Sequence, residues 1–189
     1  MMKQLVFVLA ASLMTSFLAC SAKDGNRDKN GIMKTDSIVQ KALGDSIADV
    51  LFNPKKVNCY RLKVVEKVEE GQVVAEKFDN GEVCVRDGFV CSLTDKEQTL
   101  LQYLLLADPK NYEQAKPVIR SPYIPMIGFE FIKKKEIVRV LISTTDFSWT
   151  IIYKGKVMSN WNYTDCSAIN RVCSDLFNSV KPQTKEDKK

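Results

Sequence analysis

Six cysteines and no histidine set the reactive chemistry open to this chain. Without an imidazole, Ser-His-Asp and Cys-His catalysis are excluded, and so is histidine-ligated zinc. No Cys-x-x-Cys pair occurs among Cys20, Cys59, Cys84, Cys91, Cys166 and Cys173, so no metal site and no cofactor is expected. Cys84 and Cys91 flank Asp87-Gly88 symmetrically. If that dipeptide is a two-residue hairpin loop, Arg86 faces Phe89, Val85 faces Val90 and Cys84 faces Cys91. Directly opposed residues have Cα atoms about 4.5–5.5 Å apart, within disulfide reach. The pair therefore reads as a cross-strand disulfide or, equally, as two buried thiols packing as small hydrophobes. Such a bridge would sit at a hydrogen-bonded position, which strains it and makes it labile. Cys166 and Cys173 lie about 10.5 Å apart along one helix and cannot bridge each other. They read as core, with Cys59 as the one thiol either could pair with. Asp146 and Asp165 stand at a turn and a helix start, where functional carboxylates often lie. Their simpler roles are turn residue and helix N-terminal charge. A carboxylate-pair hydrolase needs two acids about 5–10 Å apart in a cleft, and no sequence spacing supplies that.

Cys20 belongs to a different context. Lys3 is the only early charge, and Leu5 to Ala19 is uncharged and mostly apolar. A cationic start, a short apolar core and small residues before a polar break are the layout of a secretory signal. The apolar run falls short of the ~20 residues that span a bilayer. Ser16-Phe17-Leu18-Ala19-Cys20 resembles the lipobox of bacterial lipoproteins, with Phe17 where that family usually has Leu. The resemblance implies removal of residues 1–19, a diacylglycerol on the Cys20 thiol and a further acyl chain on its new amino group. At about 0.8 kcal/mol per buried CH₂, two or three chains anchor far more firmly than one. Ser21 after the cysteine, rather than Asp, implies the outer membrane. Ser21-Ala22-Lys23-Asp24 loosely resembles the export tag of Bacteroidetes surface lipoproteins, leaving a periplasm-facing and a cell-surface location both open.

Lys and Arg number 28 against 23 acids, a formal charge of +5. This mild excess is spread along the chain, and nucleic-acid binding calls for a clustered basic face. No nucleic-acid partner is expected. Lys133-Lys134-Lys135 suits an exposed hairpin tip. Residues 20–34 have no apolar period and read as a flexible tether. Residues 35–181 read as a single domain, and 182–189 as a disordered charged tail.

The elements follow from periodicity. Ile38, Val39, Ala42, Leu43, Ile47, Val50 and Leu51 recur at helical spacing between a Thr35-Asp36 cap and the Asn53-Pro54 stop. Val57 to Val65 reads as a strand, and turn signals at Glu70-Gly71, Asn80-Gly81 and Asp87-Gly88 predict an antiparallel meander over 57–92. Thr94-Asp95-Lys96-Glu97 is a capping box ahead of the Leu100–Leu106 helix, which Asp108-Pro109 ends. Pro117, Pro122 and Pro125 mark an extended connection. Strands follow at Ile127–Phe131, Glu136–Ser143, Trp149–Tyr153 and Val157–Tyr163, with Val157, Ser159, Trp161 and Tyr163 on one face of the last. Ile169, Val172, Cys173, Leu176, Phe177 and Val180 form one apolar stripe on a final helix, expected to pack on a sheet face. The fold class is α+β, an antiparallel sheet of meander hairpins with about three helices.

Tyr60-Arg61-Leu62, Asn111-Tyr112 and Val140-Leu141-Ile142-Ser143 with Asp146 and Trp149 together resemble a family of small uncharacterised Bacteroidetes lipoproteins. That resemblance spans residues 57–180 and implies no activity. The residues themselves point to a lipid-anchored, non-enzymatic module for a protein or glycan partner, with Trp149, Tyr153, Trp161 and Tyr163 as a candidate binding surface or as core. An immunity-type lipoprotein that neutralises a toxin, an accessory protein of an envelope complex and a hydrolase are the alternatives.

Overall fold

The structure, a computed structural model, describes residues 35–114 and 123–178. The chain divides after Lys34, and the described residues all belong to the unit that begins at Thr35. Cys20, the leader, the tether, Pro117, Pro122, Val180 and the charged tail lie outside them. No helix among the described residues is long and apolar enough to cross a membrane.

Helix α1, Ser37–Phe52, starts where the Asp36 carboxylate accepts the Ile38 amide and stops at Asn53, ahead of Pro54. Gly44, at φ +69°, breaks it into two helical pieces. Val39, Leu43, Ile47 and Leu51 are buried along the helix, four residues apart, while Ile38 stays exposed. Strands β1 (Lys56–Val65), β2 (Val74–Lys77) and β3 (Val83–Ser92) come next. The capping box forms as read, with Thr94 and Glu97 satisfying each other's amides at the start of α2, Asp95–Leu101. The leucine run then widens into a π-helical turn, Gln102–Leu106, and a 3₁₀ turn follows at Pro109–Tyr112. The remaining elements are β4 (Glu113–Gln114), β5 (Ile127–Lys133), β6 (Glu136–Ser143), β7 (Ser148–Tyr153), β8 (Lys156–Asn162) and α3 (Cys166–Asn178).

All strands join one curled antiparallel sheet in the order β2-β3-β1-β5-β6-β7-β8-β4. The fold is α+β. Strands β5 to β8 are successive hairpins, and Lys134-Lys135 is the tip of the first. The 57–92 region departs from a simple meander, because β1 pairs with β3 and leaves β2 at the edge. Asn80-Gly81 makes the tight turn between β2 and β3, with Gly81 at φ +90°. Asp87-Gly88 makes no turn. Strand β3 runs straight through it, absorbing Asp87 and Val90 as bulges against β1. Pairing with β1 from Asn58 to Val65 outweighs the local turn preference.

The helices and the 3₁₀ turn pack on one sheet face. Ile127, Phe129, Phe131, Val138, Val140, Ile142, Trp149 and Ile151 are buried there. Lys133 closes the α1 edge by reaching the Asp49 carboxylate at 2.5 Å. Helix α3 packs near β3, and Arg61 of β1 lies over its Phe177 ring, 5.4 Å from the centroid. A register shift between Thr150 and Ile152 places Val157 opposite Ile152, so Val157 points to the other face from Trp161. The expected single face of the last strand is therefore broken by a bulge.

Candidate functional site

The two sequence-predicted constellations come apart. Cys84 and Cys91 lie on the same strand, roughly 20 Å apart at strand rise. They cannot bridge. Cys84 is opposite Val64 and Glu76, and the partner of Cys91 is Cys59. The error came from taking Asp87-Gly88 as a loop. The aromatics form no platform either: Trp149, Trp161 and Tyr163 are buried, with Tyr112 edge-on to both indoles at 5.2 and 5.3 Å. Tyr153 is half-buried and donates its hydroxyl to Glu136 at 2.5 Å. These rings are core and its rim, because the 3₁₀ turn closes over the tryptophans. Asp146 accepts from Ser148 Oγ and Asp165 from the Ala168 amide, which are turn and helix-start roles. Among the described residues no group of three metal-ligating side chains forms.

The structure assembles a different cluster on the opposite sheet face, which no helix among the described residues covers. Alternation along β1 sends Tyr60 and Leu62 there, and β5 contributes Gly128 and Glu130. The Glu130 carboxylate is nearly buried, and its Oε1 accepts from both Arg86 and Arg139 Nε, the latter at 3.0 Å. The Arg86 guanidinium carbon also sits over the Tyr60 ring, 4.3 Å from its centroid. Tyr60 in turn meets Phe89 edge-on at 5.5 Å. Phe89 is 57% exposed. Two guanidinium groups against one carboxylate leave a surplus positive charge at a partly exposed, ordered site. Beside it a cavity of about 10 Å³, room for one water-sized group, is lined by Tyr60, Leu62, Gly128 and Leu141. A Cβ at Gly128 would meet the ends of Leu62 and Leu141 at 3.2–3.3 Å, so these leucines pack tightly over the bare glycine backbone.

Register extends the patch. Arg139, Ile152 and Val157 form one cross-strand row, and Ile137 follows Arg139 on the same face. Ile137 and Val157 are 40% and 48% exposed. The face thus carries an exposed aromatic, two fixed arginines and an aliphatic flank. This composition suits protein contact, where aromatics and arginine are enriched.

Further along the face, β2 buries Glu76 opposite Cys84. One Glu76 oxygen and the Tyr123 hydroxyl are buried without a hydrogen-bond partner among the described residues. Burial lifts the Glu76 carboxyl to about 7. Burial and the neighbouring Glu76 charge push the Cys84 thiol up to about 12. A nucleophilic cysteine needs the reverse shift, so the Cys84 thiol stays protonated and unreactive near neutral pH, where the Glu76 carboxyl is partly ionised.

Part of the cluster was readable. Counting outward from Lys134-Lys135 sets Glu130 opposite Arg139, an unlike-charge pair in an otherwise apolar hairpin. Tyr60, Arg86 and Phe89 needed the β1–β3 register with its two bulges, which no turn signal reveals. No family model, no curated protein and no solved structure matches this chain.

Proposed function

We propose that this chain is a lipid-anchored cell-envelope protein, and that it works as a non-enzymatic binding module for a protein partner. The anchor is Cys20, supported by the leader layout and the lipobox-like Ser16–Cys20 segment. The binding face is the sheet face opposite the helices, around Tyr60, Arg86, Phe89 and Arg139. The observation that carries it is Phe89, an exposed ring held in place by Tyr60 and, through Tyr60, by Arg86. An exposed aromatic fixed in advance loses little entropy on binding. Arg139, 30% exposed and held by Glu130, suits a partner carboxylate beside an apolar surface.

Two measurements test this reading. Labelled palmitate should enter the wild-type chain and not Cys20→Ala, which should leave the membrane fraction; label retained in Cys20→Ala contradicts the anchor. Capture from cross-linked envelopes should recover a partner with wild type that is lost or at least about tenfold depleted with Phe89→Ala, the scale of a binding hot spot. The same set of proteins captured at equal yield by both chains contradicts the binding face.

A further inference from the structure

We propose that Cys59 and Cys91 are a redox-controlled disulfide site that locks β1 to β3 beside the candidate binding face. The two residues are direct cross-strand partners. Such partners have Cα atoms about 4.5–5.5 Å apart, inside the disulfide range, so the register already brings the two residues within bridging reach. Cys59 is fully buried and Cys91 half-buried, and both are free thiols in this structure. Their environments are already coupled, since each thiol shifts the titration of the other. Cys173, on α3, also faces Cys59, but from another layer. It lacks the backbone register that presets the Cys59–Cys91 pair. The register shift that sets Tyr60 against Phe89 begins one residue after Cys59. A bridge here would therefore hold the bulged segment that presents the binding face.

The chemistry is thiol–disulfide exchange with a low-molecular-weight disulfide such as oxidised glutathione. Cys91, the more accessible thiol, loses its proton and attacks that disulfide. One glutathione leaves as a thiol, and Cys91 is left in a mixed disulfide. During refolding, before burial raises its thiol, Cys59 then attacks the Cys91 sulfur and expels the second glutathione, which takes up the Cys59 proton. Cys59 and Cys91 together lose two electrons, and the glutathione disulfide gains them. The site is read from the register alone; only its use in a cell rests on the envelope location proposed above.

The test is refolding of the full chain in a glutathione redox buffer, alkylation and tryptic mapping. Each cysteine falls on its own tryptic peptide, with Cys59 on residues 57–61 and Cys91 on residues 87–96. We expect these two peptides to be linked. The oxidised chain should melt on the order of 10 °C above the reduced chain. That redox shift should survive Cys173→Ser and vanish in Cys91→Ser. A Cys59–Cys173 link, Cys59 and Cys91 both alkylated, or a redox shift retained by Cys91→Ser would overturn the assignment. Purified protein is used throughout, so the outcome is independent of anchoring and of partner binding.

Discussion

Glu76 is the residue whose surroundings are most at odds with its charge. Burial alone lifts its carboxyl from 4.5 to about 7, and one of its oxygens has no hydrogen-bond partner among the described residues. In the unfolded chain the acid titrates near its ordinary value. Between about pH 4.5 and 7 the folded state therefore holds more protons than the unfolded state. Stability is highest below that window and falls as pH rises through it, by on the order of 3 kcal/mol. Glu76→Gln keeps the shape and removes the titration. Thermal melts should show the variant close to wild type near pH 5 and clearly more stable near pH 8. Equal midpoints at the higher pH would contradict the burial account. The same burial keeps Cys84 protonated, which is why this corner of the sheet reads as packing rather than chemistry.

Between elements, Asn111 joins more of the structure than any catalytic motif does. Its amide donates to the Leu104 and Leu105 carbonyls left open by the π-helical turn, at 2.8 and 3.0 Å. Its side-chain oxygen accepts from the Thr164 amide and hydroxyl ahead of α3. Its main-chain carbonyl takes the Trp149 indole at 2.8 Å. Asn111→Ala leaves several buried groups unpaired and should cost about 3 kcal/mol or more in urea unfolding. Thr94→Ala, at a solvated helix cap, should cost about 1 kcal/mol. If the two variants unfold alike, Asn111 is not the joint described. Elements with strong local signals were legible in the sequence: the Asp36 and Thr94 caps, the Asn53-Pro54 stop, the Lys134-Lys135 hairpin and the buried stripe of α3. What the sequence concealed was nonlocal. Asp87-Gly88 carries the chemistry of a turn, yet a long partner strand absorbed it as a bulge, and that one choice moved Cys91 from Cys84 to Cys59. The tryptophans follow the period of a half-buried sheet, but the 3₁₀ turn that covers them is distant in sequence from the strands it covers. The binding cluster was half visible, as Glu130 and Arg139 pair across a local hairpin while Tyr60 and Arg86 meet only through strand order.

For the whole molecule, the proposed function joins an anchor at Cys20 to one sheet face. The helices cover one face of the sheet, and the other carries Phe89, Arg139, Ile137 and Val157 at its surface. In this account a partner meets the anchored domain on that second face. The most direct measurement is site-specific photo-crosslinking in living cells, with the photoreactive residue at position 89 or at position 103. Tyr103 is equally exposed but belongs to the helical layer. The account predicts a discrete crosslinked species from position 89 that is absent from position 103. Adducts from position 103 alone, or the same adducts from both positions, would contradict it.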